Sequence, residues 1–346
     1  MTTPSLPSRL RVVVYGVGAM GALATRLLVD KGAQIVGAIG RSPDKVGRDL
    51  GEVAGLDRRL GIAVEANAAE VLARGADIAV VCVGSYLATM RPHFALCLDH
   101  GVNVVTIEEE TVFPWTTAQE DSKALDALAK ANGVTLAASG AQDVFWLNLV
   151  ATLLGASHRI EAVVGRCVWN VDDYGPEVAR HLHIGRPEVE FDRHVATFGW
   201  PEFVARQTLE ALVSRLGMTV ASTSSDVTPV VASDPIYCRS LGVELKAGEV
   251  MGTIDRTVID TREGARFELS MEGRLYREGE TDDNQWDVFG EPRLSLRNAG
   301  VPYRFTTCST MVNRIPDVVA APPGLLSLDE MPVPSYKREL RVSQAD

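Results

Sequence analysis

The stretch RVVVYGVGAMGALATRLL, Arg11 to Leu28, restricts what this chain can fold into more than any other. A short β-branched run leads into Gly16, Gly18 and Gly21 in GxGxxG spacing, and the residues after them favour a helix. Each glycine has its own reason. The first permits a tight turn, the second lets the backbone approach a pyrophosphate, and the third allows a helix to lie close on a strand. The phosphates would rest on the helix N-terminus, against the backbone N–H groups near Ala19 and Met20. Strand, turn and helix in this order predict a dinucleotide-binding Rossmann domain.

The residues that follow keep the rhythm of a parallel sheet wrapped by helices. Candidate strands Arg11–Tyr15, Gln34–Ile39, Ile62–Val64, Ile78–Val83, Val102–Ile107 and Thr135–Ala137 are brief and apolar on both faces, as buried parallel strands are. Between them lie helical stretches near Ala19–Lys31, Asp44–Val53, Ala68–Arg74, Tyr86–Asp99 and Thr117–Ala131, the last closed by Asn132-Gly133, which suits a left-handed C-cap. At 346 residues, 46% of them hydrophobic, the chain is too long for one small core and suits two domains.

Beyond residue 140 the texture changes. SGAQDVFWLNLVATLLGAS reads as a long apolar helix with Asp143 near its start. GEVMGTIDRTVID and ARFELSMEGRLYRE alternate apolar and polar residues, as long antiparallel strands with one covered face do, and PEFVARQTLEALVSRLG supplies a helix to cover them. STMVNRIPDVVAAPPGLLSL looks helical until Pro322-Pro323. The expected fold class is α/β: an N-terminal doubly wound parallel sheet over residues 1–140, a second α+β domain on a mostly antiparallel sheet over 141–308, and a C-terminal helix and tail, 309–346, packing back on the first domain.

Charge and motif content exclude several functions. With 34 Lys and Arg against 45 Asp and Glu the net charge is −11, and no basic cluster offsets it, so no nucleic-acid partner is expected. The N-terminus lacks the apolar run of a signal peptide and no segment reaches bilayer length, which predicts a cytoplasmic protein with no membrane partner. Five scattered cysteines, without CxxC or nearby His spacing, suggest neither a metal site nor a disulfide framework. HExxH and GxSxG are absent, and no tyrosine is followed by a lysine four residues later.

The end of the second strand separates the two nicotinamide cofactors. An NAD-specific site places an acid there for the ribose 2′-hydroxyl. Here VGAIGRSPDK has none before Asp44, and Arg41 and Ser42 occupy the corner, where a guanidinium can fork onto a 2′-phosphate. The expectation is NADP(H), with NAD(H) also accepted because no second arginine adjoins the first. Gly84 and Ser85, after the fourth strand, would permit close approach of the ribose and nicotinamide.

The fifth strand runs into three glutamates and a Pro-Trp stop, VVTIEEETVFPW. In an open parallel sheet the reaction site lies beyond the carboxyl ends of the strands, which is where these acids fall. A carboxylate there, partly dried by the second domain, could hold an ammonium ion and take its proton. Alternation means that Glu108, Glu109 and Glu110 do not all face one way, so solvated flanks are expected beside the working group, and pattern alone does not choose it.

GVGAMG, GRDLGE, EETVFPW, the GAQDVFWLNLV helix and the MVNRIPDVVAAPPGLL tail together resemble the 2,4-diaminopentanoate dehydrogenase family, most closely its native amine dehydrogenase branch, which is similar in fold to dihydrodipicolinate reductase. The resemblance runs in order over most of the chain and is loose between about Val189 and Gly248. It implies reversible NAD(P)-dependent oxidative deamination of an amine to a carbonyl compound and ammonia, by a homodimer. Laid on EETVFPW, it makes Glu109 the catalytic residue, with Glu110 the runner-up. It further implies that Trp146 and Tyr174 shape the substrate pocket and that Asn313 lies near the nicotinamide. His181 and His183 in ARHLHIG are further pocket candidates, with a structural role as the alternative.

Dihydrodipicolinate reductases carry a His-His pair followed by a lysine that holds a dicarboxylate. Here RHLHIGRP interposes Leu182 and has no lysine, which favours a small, mostly apolar amine or carbonyl substrate. Two rival readings stay open: an imine or dihydrodipicolinate-like reductase that uses no free ammonia, and a regulatory protein that senses NADP(H).

Overall fold

A strand that is apolar on both faces is satisfied only when helices cover both sides of its sheet, and Val12 to Tyr15 are all buried. The computed structural model describes residues 9–201 and 204–341, and the chain divides into two units, Met1–Val144 with Phe305–Asp346, and Phe145–Arg304.

The first unit opens with β1 (Arg11–Tyr15), α1 (Ala19–Asp30), β2 (Gln34–Ile39), α2 (Leu50–Ala54), β3 (Val64–Glu65), α3 (Ala68–Leu72), β4 (Ile78–Val81), α4 (Leu87–Asp99), β5 (Asn103–Thr106), α5 (Gln119–Asn132) and β6 (Thr135–Ala138). The strands lie in the order β3-β2-β1-β4-β5-β6, all parallel. This is the doubly wound order in which ligands bind where the strand order reverses, between β1 and β4. Alternation divides the core. Val12 and Val14 join Leu23 and Leu28 of α1, whereas Val13 and Tyr15 join Leu87 and Phe94 of α4 and Leu125 of α5.

In the second unit α6 (Leu149–Leu154), β7 (Arg159–Asn170), α7 (Pro176–His181), α8 (Glu188–Phe198), α9 (Ala205–Arg215), β8 (Val220–Val231), β9 (Ile236–Cys238), β10 (Val243–Leu245), β11 (Val250–Thr261), β12 (Arg266–Arg274), β13 (Asp283–Glu291) and β14 (Leu294–Ala299) follow. Six strands form one sheet, β14-β13-β7-β12-β11-β8, antiparallel except for β12 on β7, and β9 pairs with β10. Phe267, Leu269 and Met271 are buried on one face of β12, as the sequence alternation requires. The helix expected from Pro201 to Gly217 is α9; residues 202 and 203 lie outside the described residues.

The chain ends with α10 (Tyr303–Val319) and β15 (Gly324–Leu326). Cys308, Met311, Val312 and Ile315 of α10 join the core on the α1 side, and β15 adds a seventh parallel strand beside β6.

Several elements depart from the sequence reading, among them the following. The helix expected over Asp44–Val53 is confined to α2, because Gly47 takes a left-handed φ of 83° and Asp49 caps the helix later, accepting from Gly51 N–H at 2.8 Å. The single helix expected around Asp143 has a π-helical stretch, Asp143–Asn148, ahead of α6. β15 was not anticipated, since three residues after a proline pair carry no usable period.

Candidate active site

Gly16 closes β1 with φ +96°, a conformation that strains any side chain. A Cβ there would stand 2.3 Å from the carbonyl oxygen of Cys82, and one on Gly21 would stand 1.8 Å from that of Gly16. A Cβ on Gly18 would meet nothing within 4 Å. Two of the glycines are therefore demanded by packing. The middle one leaves open space at the N-cap of α1, which has no side-chain cap, beside exposed Ala19 and half-buried Met20. An uncapped helix start facing open space fits a pyrophosphate. Arg41 and Ser42 are exposed in the loop after β2, and Gly84 and Ser85 follow β4.

The three glutamates have three different fates. Glu108 is fully buried; it accepts N–H groups from Glu110 (3.0 Å) and Thr111 (2.8 Å) and the Thr111 hydroxyl, which closes the turn after β5. Burial still pushes its carboxyl up to about 8. Glu110 caps α4, its Oε2 accepting from Leu87 N–H at 2.9 Å. The solvated flanks expected from the sequence are thus corrected: both neighbours of Glu109 hold backbone in place.

Glu109 is left. Its carboxyl accepts the Ser85 hydroxyl, while Oε2 is buried with no hydrogen-bond partner among the described residues. Burial lifts it to about 7, with the Ser85 bond opposing the rise. A buried acceptor with an unspent oxygen costs free energy unless a ligand completes it.

The turn is braced from the tail. Trp115 Nε1 donates to Ser327 Oγ at 3.1 Å, and Leu328 N–H donates to the carbonyl of Val112 at 3.0 Å. Cys308 Sγ reaches the carbonyl oxygen of Met20 at 3.5 Å. Asn313, later in α10, also has a partner in the tail. Its Oδ1 accepts from Lys337 N–H at 3.2 Å, in the segment that also bonds Lys31 at the far end of α1. Asn313 stays a proposed neighbour of the nicotinamide, with its amide oxygen already accepting one bond from the tail.

In the second unit the sequence candidates fall into two groups. Trp146, 7% exposed, meets the Tyr303 ring edge-on at 5.9 Å, and half-buried Tyr174 meets Trp169 edge-on at 5.0 Å. His181 and His183 instead converge on Trp200, at 5.6 and 6.3 Å, and His183 also lies 4.3 Å from His194. Burial, then the neighbouring His194, holds both of these histidines below the usual imidazole value. Trp200 Nε1 donates to Asp255, whose carboxyl burial pushes up to about 6. A cavity of about 170 Å³ beside this group is lined by Val195, Trp200, Val227, Asp255 and Thr257 among others, not by Trp146 or Tyr174. His194, Trp200 and Asp255 were missed, being far apart in sequence and without motif spacing.

A doubly wound sheet with this turn and a dry carboxylate past its carboxyl edge belongs to the class of dinucleotide-dependent oxidoreductases. The comparisons narrow the class. The family model for the 2,4-diaminopentanoate dehydrogenase C-terminal domain matches residues 145–342, and the chain belongs to that family. A solved amine dehydrogenase from Mycobacterium smegmatis is 49% identical, covers 96% of this chain and 98% of its own, and superposes with a TM-score of 0.92. The 2,4-diaminopentanoate dehydrogenase of Acetoanaerobium sticklandii is 24% identical, over 94% of both chains. An amine dehydrogenase of Streptomyces virginiae is 25% identical, over 94% of this chain and 96% of its own. A probable dehydrogenase from Thermotoga maritima, 16% identical over 93% and 92% of the chains with a TM-score of 0.59, shares the fold. The chain is an oxidoreductase of the CH–NH2 class, and no helix among its described residues is long and apolar enough to cross a membrane.

Proposed function

We propose that this chain is an NAD(P)-dependent amine dehydrogenase that reversibly aminates small ketones or aldehydes with ammonia to primary amines. The observation that carries the reading is the buried, unspent Oε2 of Glu109 at the carboxyl edge of the dinucleotide sheet. With an ordinary carboxyl value raised to about 7, Glu109 can hold an ammonium ion at neutral pH and take its proton. The ammonia so released adds to the carbonyl carbon to give a carbinolamine; Glu109 then returns the proton to the departing hydroxyl, which leaves as water, and the carboxylate, ionised again, favours the resulting iminium by its charge. A bound nicotinamide supplies the hydride, or accepts it in the reverse direction. Gly16, Gly18, Ala19, Met20 and Gly21 would hold the pyrophosphate, and Arg41 and Ser42 the adenosine ribose, with NADP(H) preferred and NAD(H) accepted. Trp146, Tyr174, His181 and His183 are proposed as substrate residues.

Glu109→Gln should abolish amine-dependent NADP⁺ reduction and leave NADPH binding intact, and the wild-type amination rate should fall as pH drops through about 7. Undiminished turnover in the variant overturns the assignment. Amination of a ketone with no dependence on ammonium concentration would favour an imine reductase instead.

A cytoplasmic homodimer is part of the proposal. All five cysteines are free thiols, which suits a reducing compartment. On the sheet of the second unit, Arg256 pairs with Glu268 at 2.8 Å and Arg166 with Glu272 at 2.6 Å, with half-buried Val164 and Ile254 on the same face, a surface that a second copy could cover. Sedimentation at the mass of a single chain would rule the dimer out.

A further inference from the structure

The corner after β2 holds more charge than its first two residues. The Ser42 hydroxyl donates to the carboxylate of Asp44, and Lys45 Nζ donates to the carbonyl of Val17 at 3.0 Å. Val17 stands between the first two glycines of the fingerprint, so Lys45 bridges the loop after β2 to the turn after β1. The bridge is fixed at its base, because Lys45 N–H and Val46 N–H both donate to the Ser42 carbonyl, at 2.9 and 3.0 Å. Asp44 is exposed, and the Ser42 hydroxyl holds its carboxyl below the usual range, so it carries a full charge at neutral pH. Tyr15 and His93, which bond one another at 2.7 Å, lie within the field of the Arg41 charge.

In a doubly wound sheet the adenosine ribose lies over the end of β2, and its 2′ position faces this loop. A 2′-hydroxyl is a donor that suits an acid. A 2′-phosphate is a dianion that an acid repels and cations hold. Resting on the reading of this edge as a nicotinamide-dinucleotide site, we propose that Lys45 and Asp44 set the balance between the two cofactors, Lys45 as the second cation beside Arg41 for a 2′-phosphate and Asp44 as the acceptor of a free 2′-hydroxyl. One ammonium proton of Lys45 is spent on Val17, and two remain for phosphate oxygens. Two opposed specificity groups on adjacent residues make a site that takes either cofactor.

Direct binding of NADPH and NADH, by calorimetry or quenching of tryptophan fluorescence, tests the assignment apart from turnover. Lys45→Gln should weaken NADPH about tenfold, the loss of one charge-assisted hydrogen bond, while NADH stays within about twofold. Lys45→Arg should retain the NADPH affinity. Asp44→Asn should move the other way, tightening NADPH and weakening NADH. Equal losses for both cofactors in Lys45→Gln would make Lys45 only a latch on the glycine turn and overturn the proposal, as would unchanged binding in both variants. A wild-type chain that binds neither cofactor overturns the dinucleotide reading and this proposal with it, whereas tight wild-type binding with unselective variants overturns the proposal alone.

Discussion

Glu109 is distinguished from its neighbours by what its oxygens have left to do, and alternation along a strand gives only parity. The run Glu108–Glu110 leaves β5 and enters a single 3₁₀ turn, Glu110–Val112, so its three side chains are sorted by turn geometry and by two partners from elsewhere in the chain, Ser85 and Leu87. None of this was legible in EEET. Lys45, by contrast, stands in plain view in GRSPDK, but only the fold shows that its ammonium reaches the Val17 carbonyl. Glu108 gives a prediction with a definite sign. Its carboxyl titrates at 4.5 when unfolded and at about 8 when folded, so between those values the folded chain keeps a proton that the unfolded chain has lost. Stability therefore falls as pH rises through that window, by an amount on the order of a few kcal/mol. Glu108→Gln, which loses one acceptor oxygen, should melt well below wild type at pH 5 and approach it by pH 9. A gap in melting temperature that does not vary with pH would show that Glu108 stays ionised.

Among the elements, the first βαβ unit was legible to within a residue or so: β1, α1 and β2 fall where periodicity put them, because β1 and the end of β2 are buried apolar runs and α1 turns Leu23, Ala24 and Leu28 to the core. The loop after β2 was not, because Gly47 and the three backbone groups that Asp49 gathers, from Gly51, Leu60 and Gly61, are tertiary commitments that helix propensity ignores. The same distinction separates two glycines of the fingerprint. Gly21→Ala forces a Cβ against the Gly16 carbonyl and should cost about 1–3 kcal/mol of stability, read as a lower melting temperature. Gly18→Ala adds its Cβ to open space, in an extended conformation that alanine adopts freely, so melting should be unchanged while NADPH affinity drops. A stable Gly21→Ala variant would mean that the turn relaxes more easily than its packing implies.

At the scale of the molecule, the tail is tied into the first unit by a buried ion pair that composition could not reveal. Arg314, fully buried, donates Nε and Nη2 to the two carboxylate oxygens of Asp143, each at 2.8 Å, and Ser139 adds a hydroxyl to Asp143 at 2.8 Å. Arg314→Met removes the guanidinium that pairs with Asp143 in a dry site and should cost about 3–5 kcal/mol in urea unfolding, with Asp143→Leu in the same chain recovering part of the loss. A double variant no better than the single would mean that Asp143 finds another partner.

The position of β15 has a bearing on how the protein is made. The seventh strand of the sheet, the brace on Trp115 and the bond from Leu10 N–H to the Leu340 carbonyl all come from residues synthesised after the entire second unit. During translation β6 is an open edge strand, a ready template for pairing with another nascent chain, until β15 emerges and covers it. The carboxylate at the centre of the proposed chemistry is then braced by a stretch of chain made after the whole second unit, so products that stop short of it would display the cofactor turn without a firmly set Glu109.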